Sequence, residues 1–375
     1  MKTTTPLSEI NIEQISRFAA EHIAPRYDLS ERDDFPHDLW EEMAKAGLFK
    51  IGIEKLYGGI GGGYINLTEA AEEIVKSGYN IGIAASWLYQ QIIARFIIAG
   101  FGSANQKQQY LPEMAKGKLT ASFAVSEPQR GAHPKYLKTI AIKDESFHII
   151  NGEKTYLTNA PIAEIFIVIA ITAEREQRSF SAFLVPRQTL GLTVSPTLKF
   201  DFLKPSPHGS IVLNSCRLPD TSILGKEGTA YREIVIAFGE IEDIVMMGAV
   251  VGAMAGQLTL LIGATGKDKI AATESLKNEL GEQDEALQSI RKIASKAADV
   301  LDRSEAYSVA QAITFMDLTA KFQTNMDSII QKWNLRPDPR YNYLRSDLTA
   351  MMALKKKITQ LRQKKLEREL LKDKG

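Results

Sequence analysis

The sequence predicts an α+β multi-domain protein in which a helical region, a β region and a second helical region follow one another. Apolar residues recur with a helical period in the first 118 residues, and short β-branched runs separated by turn residues fill 119–224. Helical spacing then returns over 225–375. A chain of 375 residues is longer than one hydrophobic core usually spans. We therefore expect three domains, 1–118, 119–224 and 225–375.

The amino-terminal region is predicted to be a series of amphipathic helices. Ile15 and Phe18 keep a helical period, and Leu39, Trp40 and Met43 form the apolar face of a second helix. Further helices are expected near 67–77, 82–99 and 105–116.

The middle region is predicted to be an antiparallel β-sandwich or barrel. Asn151-Gly152 separates two short β-branched runs, a pattern that favours a two-residue hairpin turn. The expected strands lie at 120–125, 139–142, 148–151, 154–156, 165–171, 179–185 and 209–213.

The carboxy-terminal region is predicted to be a helical bundle with helices at 231–261, 286–301, 304–333 and 344–371, and a polar connector at 264–285. Residues 244–266 carry no charge, and three glycines recur every fourth residue. Such a stretch fits either a membrane span or a fully buried helix. We find no second such stretch and no flanking aromatic belt. A buried helix is therefore expected, with no membrane span. The last 21 residues carry a net charge of +6 and are expected to be a solvated helical tail.

Composition and charge exclude several classes of function. The 46 Lys and Arg residues balance 45 Asp and Glu residues, which argues against a nucleic-acid or anionic-membrane partner. Cys216 is the single cysteine, so no internal disulfide can form. The five histidines have no metal-ligand spacing, and no metal site is expected. The first residues lack the apolar core of a signal peptide, which favours a cytoplasmic location.

Six segments stand out as motifs. They are Phe35–Phe49, Tyr57–Gly59, Phe101–Pro112, Phe123–Pro128 (Phe-Ala-Val-Ser-Glu-Pro), Asn151–Asn159 (Asn-Gly-Glu-Lys-Thr-Tyr-Leu-Thr-Asn) and Leu218–Gly228. In this order, from about residue 12 to residue 256, the chain resembles the acyl-CoA dehydrogenase family. The resemblance implies that family's fold, with a helical domain on either side of a β domain.

The resemblance also implies a flavoprotein oxidoreductase that uses FAD to dehydrogenate an acyl-CoA thioester between its α and β carbons. Family members commonly assemble as homodimers or homotetramers, which we expect here. The motif residues that would line the isoalloxazine ring are Phe123, Ala124, Val125, Ser126, Tyr156, Leu157 and Thr158. By the resemblance, Ser126 meets the pyrimidine edge and Thr158 lies near N5. Tyr156 replaces the usual tryptophan.

The resemblance points to Glu242 as the catalytic base. Most members carry a glutamate in a loop near the carboxy terminus, where this chain has Leu354-Lys-Lys356. A minority carry it on the helix after the sheet, and Glu242 falls at that position. Glu240 is a competing register. Carboxylates at the start of a helix, attracted by its dipole, are an equally simple explanation for both.

Several family contacts are replaced. Ala132 occupies the serine position of the first flavin strand, and Trp333-Asn334 replaces a Gly-Gly pair. The arginine segment that meets the FAD pyrophosphate has no counterpart in 264–285. These replacements leave two alternatives to an active dehydrogenase: a non-catalytic subunit that pairs with an active paralogue, or a flavin-dependent monooxygenase-type relative.

Overall fold

The computed structural model describes residue 9 and residues 11–174, 178–267, 273–305 and 308–354. Its amino-terminal part is helical, as predicted. The helices are α1 Ile12–Phe18, α2 His37–Lys45, α3 Tyr64–Gly78, α4 Ile81–Ile92, α5 Ala99–Phe101 and α6 Ala104–Ala115. A π-helical turn, Ile93–Ile98, joins α4 to α5. Ser103 and Gln106 form a capping box that fixes the start of α6.

The middle of the chain forms one eight-stranded sheet. The strands are β1 Ala121–Ala124, β2 Ile140–Asp144, β3 Phe147–Thr158, β4 Ile165–Glu174, β5 Arg178–Pro186, β6 Leu192–Val194, β7 His208–Pro219 and β8 Ile223–Leu224. Their order is β6-β7-β3-β2-β4-β5-β8, with β1 also paired to β4. The short strands β6 and β8 were not predicted.

The sheet is mixed, which corrects the antiparallel expectation. β1 pairs in parallel with the first half of β4, and β2 pairs in parallel with β4 at Ile171. β1 and β2 therefore run in the same direction, one after the other along β4. The loop 125–139 interrupts this pairing and frees the end of β1 from the ladder.

The predicted hairpin at Asn151-Gly152 is wrong. Both residues lie inside the continuous strand β3, at a bulge where the pairing with β7 shifts register. A Cβ on Gly152 would lie 2.4 Å from Thr139 Oγ1, so glycine lets the neighbouring strand approach closely. The β2–β3 turn instead includes Glu145, whose φ is 52°.

The carboxy-terminal part is helical, as predicted, with a different connector. Its helices are α7 Ile236–Lys267, α8 Glu274–Asp302 and α9 Val309–Trp333, followed by helical residues 339–354. Thr273 caps α8 through a hydrogen bond from the Leu276 N–H, so the helix begins inside the expected polar connector. The predicted helix 344–371 is observed as far as 354, and the charged tail lies outside the described residues.

The chain divides into two compact units. The first contains Asp28–Leu67 and Gly82–Asp243, and the second contains Ile15–Tyr27, Thr68–Ile81 and the residues from Ile244 onward. The predicted domain boundaries at 118/119 and 224/225 stay a sequence prediction. The sheet core lies within the first unit and includes Phe166, Val168, Phe183, Ile211 and Leu213.

Two helical stretches are long and apolar enough to cross a membrane by length and composition. They are Ile81–Phe101 and Tyr231–Thr265, so the expectation of a single such stretch is wrong. In the structure 83% and 94% of their most apolar windows are buried, respectively. The prediction that the helix around 244–266 is a buried one is confirmed.

Candidate active site

Helix α4 is fixed against two ends of the sheet by buried hydrogen bonds. The Gln90 side chain accepts a hydrogen bond from the Ala121 N–H at 2.9 Å and donates to the Leu119 carbonyl at 2.7 Å. One turn earlier, the Asn159 amide donates to the Ser86 carbonyl at 2.9 Å. These bonds tie α4 to the start of β1 and to the end of β3. Tyr89 lies between the two attachment points.

The Tyr89 side chain connects two of the predicted site residues. Its hydroxyl lies close enough to the Glu242 carboxylate near the start of α7 and to the Thr158 hydroxyl at the end of β3 for both to influence its pKa. Burial raises the pKa of Tyr89 well above its usual range, and the negative charge of Glu242 raises it further. Tyr89 therefore stays a neutral phenol beside the carboxylate.

The structure distinguishes the acidic residues that compete for the role of base. Glu240 is exposed, whereas Glu242 and Asp243 are half-buried. The Glu242 carboxylate raises the pKa of Tyr89 more than Asp243 does, so Glu242 is the acidic residue that interacts more strongly with this tyrosine. Among the three, Glu242 has the environment of a site residue, and the exposed position of Glu240 fits a solvated helix-start carboxylate.

Aromatic rings line the same region. Phe238, one turn before Glu242, packs against Phe123 of β1 with ring centroids 4.7 Å apart. It also packs against Tyr89 at 5.8 Å. These contacts bring β1, α4 and the start of α7 together one turn before Glu242.

Thr158 has a second partner in His208, the residue opposite it on β7. The Thr158 Oγ1 and His208 Nε2 atoms are 3.2 Å apart. His208 Nδ1 lies 3.0 Å from the Ser206 carbonyl oxygen. A carbonyl only accepts, so Nδ1 carries the proton and Nε2 of the neutral ring is an acceptor. Burial lowers the pKa of His208, which favours this neutral form.

The other predicted flavin-lining residues divide into two groups. The Ala124 and Leu157 side chains pack in the sheet core, so they can offer a ligand only their backbone. Val125 is 7% exposed, and its carbonyl accepts a hydrogen bond from Lys154. Tyr156 projects outward at the second β3 bulge, with φ 60° and 56% of its surface exposed. No described contact joins Tyr156 to Glu242.

Ser126 is the residue best placed to offer free donors. Its carbonyl accepts from the Thr155 N–H at 2.9 Å, which ties the end of β1 to β3. Within the part of the chain that the structure describes, neither the Ser126 N–H nor its hydroxyl has a hydrogen-bond partner. The residue is half-buried. Two adjacent donors are therefore available at the end of β1.

A buried ion pair holds the end of β1 in place. The Lys154 ammonium, 0% exposed, donates to the Val125 carbonyl and to Glu127 Oε1, each at 3.0 Å. Glu127 also accepts hydrogen bonds from the Thr139 N–H and hydroxyl. The pair links β3, the end of β1 and the start of β2, and so fixes the backbone on either side of Ser126.

Sequence reasoning missed Tyr89, Phe238 and His208. Tyr89 is the single tyrosine of the largely apolar helix Ile81–Ile92, and His208 belonged to a set of histidines without a recognisable spacing. Their roles arise from long-range contacts that no local pattern reports. Among the described residues no cluster of three or more His, Cys, Asp or Glu side chains could hold a metal ion.

Comparison with known proteins identifies the family. Residues 8–118 match the model for the amino-terminal domain of acyl-CoA dehydrogenases, and residues 122–216 match the model for the middle domain. Together these matches cover more than half of the chain. The chain belongs to the acyl-CoA dehydrogenase family, which confirms the resemblance seen in its motifs.

Individual relatives agree with this assignment. An acyl-CoA dehydrogenase of Bacillus subtilis is 33% identical over 216 residues, 57% of this chain and 56% of the relative. A mitochondrial isovaleryl-CoA dehydrogenase of Solanum tuberosum is 28% identical over 254 residues, 67% of this chain and 61% of the relative. The matched part thus spans about six tenths of each relative's length.

The likeness of the fold extends further along the chain. A solved structure of a glutaryl-CoA dehydrogenase from Mycobacterium smegmatis, in complex with FADH2, superposes with a TM-score of 0.77. The superposition covers 90% of this chain and 89% of the other at 20% identity. The predicted architecture, helical on both sides of a central sheet, is confirmed.

Proposed function

We propose that the protein is an FAD-dependent oxidoreductase that removes one hydrogen from each of the α and β carbons of an acyl-CoA thioester. The observation that carries the proposal is the buried Tyr89 hydroxyl, whose pKa both Glu242 and Thr158 influence at close range. This proximity puts a carboxylate next to the strand where the family resemblance places the flavin ring. Family membership and the names of the relatives support the same chemistry.

The residues at the end of β1 and β3 fit an isoalloxazine ring. A flavin pyrimidine edge presents two carbonyl oxygens and one unprotonated ring nitrogen, which need donors, and Ser126 has two donors without another partner among the described residues. Phe123 adds a half-buried aromatic surface beside them. When bound, FAD would supply the two-electron oxidant that no amino-acid side chain provides.

In this proposal Glu242 is the base that removes the α-proton of the thioester. A partly desolvated carboxylate suits the task, because desolvation makes it a stronger base and so favours transfer of the α-proton to it. Glu242 is half-buried, with Phe238 and Tyr89 packed near it. The neighbouring Tyr89 side chain would help to hold the carboxylate in position for this task.

The proposal is tested by the visible spectrum of the purified protein with added FAD. We expect an oxidised-flavin band that bleaches when an acyl-CoA is added without oxygen. Glu242→Gln should bind FAD and slow the bleaching by about a hundredfold or more, the scale expected for the loss of a general base. Glu240→Gln is the matched control, because this carboxylate is exposed on the same helix. Equal bleaching by Glu242→Gln and wild type would rule out Glu242 as the base.

The alternatives are separate outcomes of the same measurement. A protein that takes up no FAD, and that co-purifies with a second family member, would support the non-catalytic partner subunit. A flavin band that no thioester bleaches would support monooxygenase-type chemistry on another substrate. The dehydrogenase proposal also includes assembly as a homodimer or homotetramer.

A further inference from the structure

The two peptide groups that flank Ser126 are held by hydrogen bonds at every atom except one. The Val125 carbonyl accepts from the Lys154 ammonium at 3.0 Å, and the Ser126 carbonyl accepts from a backbone N–H of β3 at 2.9 Å. The Glu127 N–H donates to the Gly131 carbonyl at 3.1 Å. Within the described residues, only the Ser126 N–H is left for a ligand.

A buried positive charge lies at the other end of the peptide group that carries this N–H. The peptide bond between Val125 and Ser126 is trans, so its C=O and its N–H point in opposite directions. The fully buried Lys154 ammonium donates to the C=O, and the N–H therefore points away from it. Linked hydrogen bonds polarise one another, and the effect is larger inside a protein than in water. The ammonium thus makes the Ser126 N–H a stronger donor.

The Glu127 carboxylate holds the ammonium in this position. Its Oε1 accepts from Lys154 at 3.0 Å and from the Thr139 N–H and hydroxyl at 2.9 and 2.7 Å. Its Oε2 accepts from the Lys138 N–H at 2.7 Å. Backbone and side-chain donors therefore share the charge of the carboxylate, whereas the Val125 carbonyl is contacted by the ammonium itself.

We propose that Lys154 is a positioning residue for the flavin, which acts through the Val125 carbonyl to fix and strengthen the Ser126 N–H as a donor to the pyrimidine edge of the ring. This inference rests on the FAD site of the proposed function and requires neither a thioester nor Glu242. Reduction places negative charge in the pyrimidine half of an isoalloxazine ring, so a strengthened donor there favours the reduced ring over the oxidised one. Lys154 therefore raises the reduction potential of bound FAD.

The midpoint potential of the FAD-loaded protein tests this role. Lys154→Met removes the charge and keeps a side chain of similar length. The double variant Lys154→Met/Glu127→Gln also removes the carboxylate charge, so that no buried charge is left without a partner. In both we expect the preference for reduced over oxidised FAD to fall about tenfold, the difference between a charge-assisted and a neutral hydrogen bond. For a two-electron couple this lowers the midpoint potential by about 30 mV.

Lys116→Met is the matched control, because Lys116 belongs to an ion pair on the surface, 2.7 Å from Glu113. Its midpoint potential should equal that of wild type. A merely structural role for Lys154 has a different signature. Loss of packing would weaken the binding of oxidised and reduced FAD by the same factor, which leaves the midpoint potential unchanged.

The outcomes separate this inference from the proposed function. If wild type and both Lys154 variants bind FAD with equal midpoint potentials, the inference is wrong and the dehydrogenase proposal stands. If wild type takes up no FAD, the inference and the cofactor proposal fail together. A lower potential in Lys154→Met but not in the double variant would assign the change to the unpaired Glu127 charge, and it would also overturn the inference.

Discussion

Lys154 shows at the scale of one residue how the sheet prepares the site. Its ammonium group is fully buried and bonds Glu127 and the Val125 carbonyl. Burial lowers the pKa of Lys154 to about 8, while the charge of Glu127 opposes that shift. A charge taken out of water is tolerated only when a partner compensates it. The pair therefore fixes the backbone beside Ser126. Losing either member would leave the other charge buried without a partner.

We predict that Glu127→Gln lowers the free energy of unfolding by about 3–5 kcal/mol at pH 7, because it leaves the Lys154 ammonium buried without its counter-charge. Burial works against the charged form of Glu127, but Lys154 and the Thr139 hydrogen bonds outweigh it and lower the pKa of this carboxyl. Its stabilisation is thus present above the unfolded-state pKa and is lost as pH falls through the folded-state value. The gap between variant and wild type in urea unfolding should narrow in acid.

Glu113→Gln is the matched control for this prediction. Glu113 pairs with Lys116 at 2.7 Å on the surface, and the two side chains are 41% and 54% exposed. An exposed pair of this kind contributes little to stability, because water and salt screen it. A loss in Glu127→Gln no larger than the loss in Glu113→Gln would contradict the argument.

Candidate site residues could be chosen from the sequence only where a motif carried them. The family register singled out Glu242, Ser126 and Thr158, and that register also left Glu240 as a competitor. The structure separates the two carboxylates by burial and by Tyr89, which lies on a helix far away in sequence. Apolar periodicity predicts that α4 is buried, but it does not report which residue of that helix faces a carboxylate.

At the scale of elements, α7 carries a pattern of glycines that is visible in the sequence and whose packing role the structure explains. The glycines of its uncharged stretch allow close approach of another helix within the second unit. A Cβ on Gly248 would lie 2.0 Å from the Thr68 carbonyl oxygen of α3, and one on Gly252 would lie 2.3 Å from that of Glu72. Helix-spaced glycines therefore serve close packing of backbones.

We predict that Gly248→Ala lowers the free energy of unfolding by about 1–3 kcal/mol, because the added methyl group would force α7 away from α3. Gly263→Ala on the same helix is the control, since no heavy atom lies within 4 Å of its Cβ position. Removing a helical glycine there should stabilise by about 0.5–1 kcal/mol. Thermal unfolding followed by circular dichroism measures both variants. If Gly248→Ala were as stable as Gly263→Ala, the packing argument would be refuted.

Strand β3 shows why local turn signals fail. Asn-Gly between two β-branched runs predicts a hairpin, but the register with β7 shifts at this point and the strand continues. A second shift follows between Lys154 and Leu157. Pairing with a strand some 60 residues away decides between turn and bulge, and only the folded sheet contains that information. The same bulged segment exposes Tyr156 and brings Thr158 close to Tyr89.

At the scale of the whole molecule, the order of helical and β regions could be predicted because periodicity changes twice along the chain. The parallel pairing of β1 and β2 with β4 could not, since short strands read alike in either direction. Likewise, the family resemblance predicts a flavin-ring site, whereas Trp333-Asn334 replaces a family contact to the other half of the cofactor and Ala132 replaces one to the CoA of the substrate. We therefore expect a ring site with altered surroundings.

That combination leads to a prediction about binding. A ligand that binds only the folded protein raises its stability, by about 2.7 kcal/mol at a free concentration one hundred times Kd. We expect FAD to raise the unfolding temperature, because Ser126 and the ends of β1 and β3 fit the ring. Riboflavin, which has the ring without the pyrophosphate and adenine, should give most of the same rise if the ring supplies most of the affinity. Differential scanning fluorimetry at matched concentrations compares the two.

A rise with FAD and none with riboflavin would show that this chain holds the adenine half through groups that the family motifs do not reveal. No rise with either would contradict the cofactor proposal and leave the non-catalytic subunit.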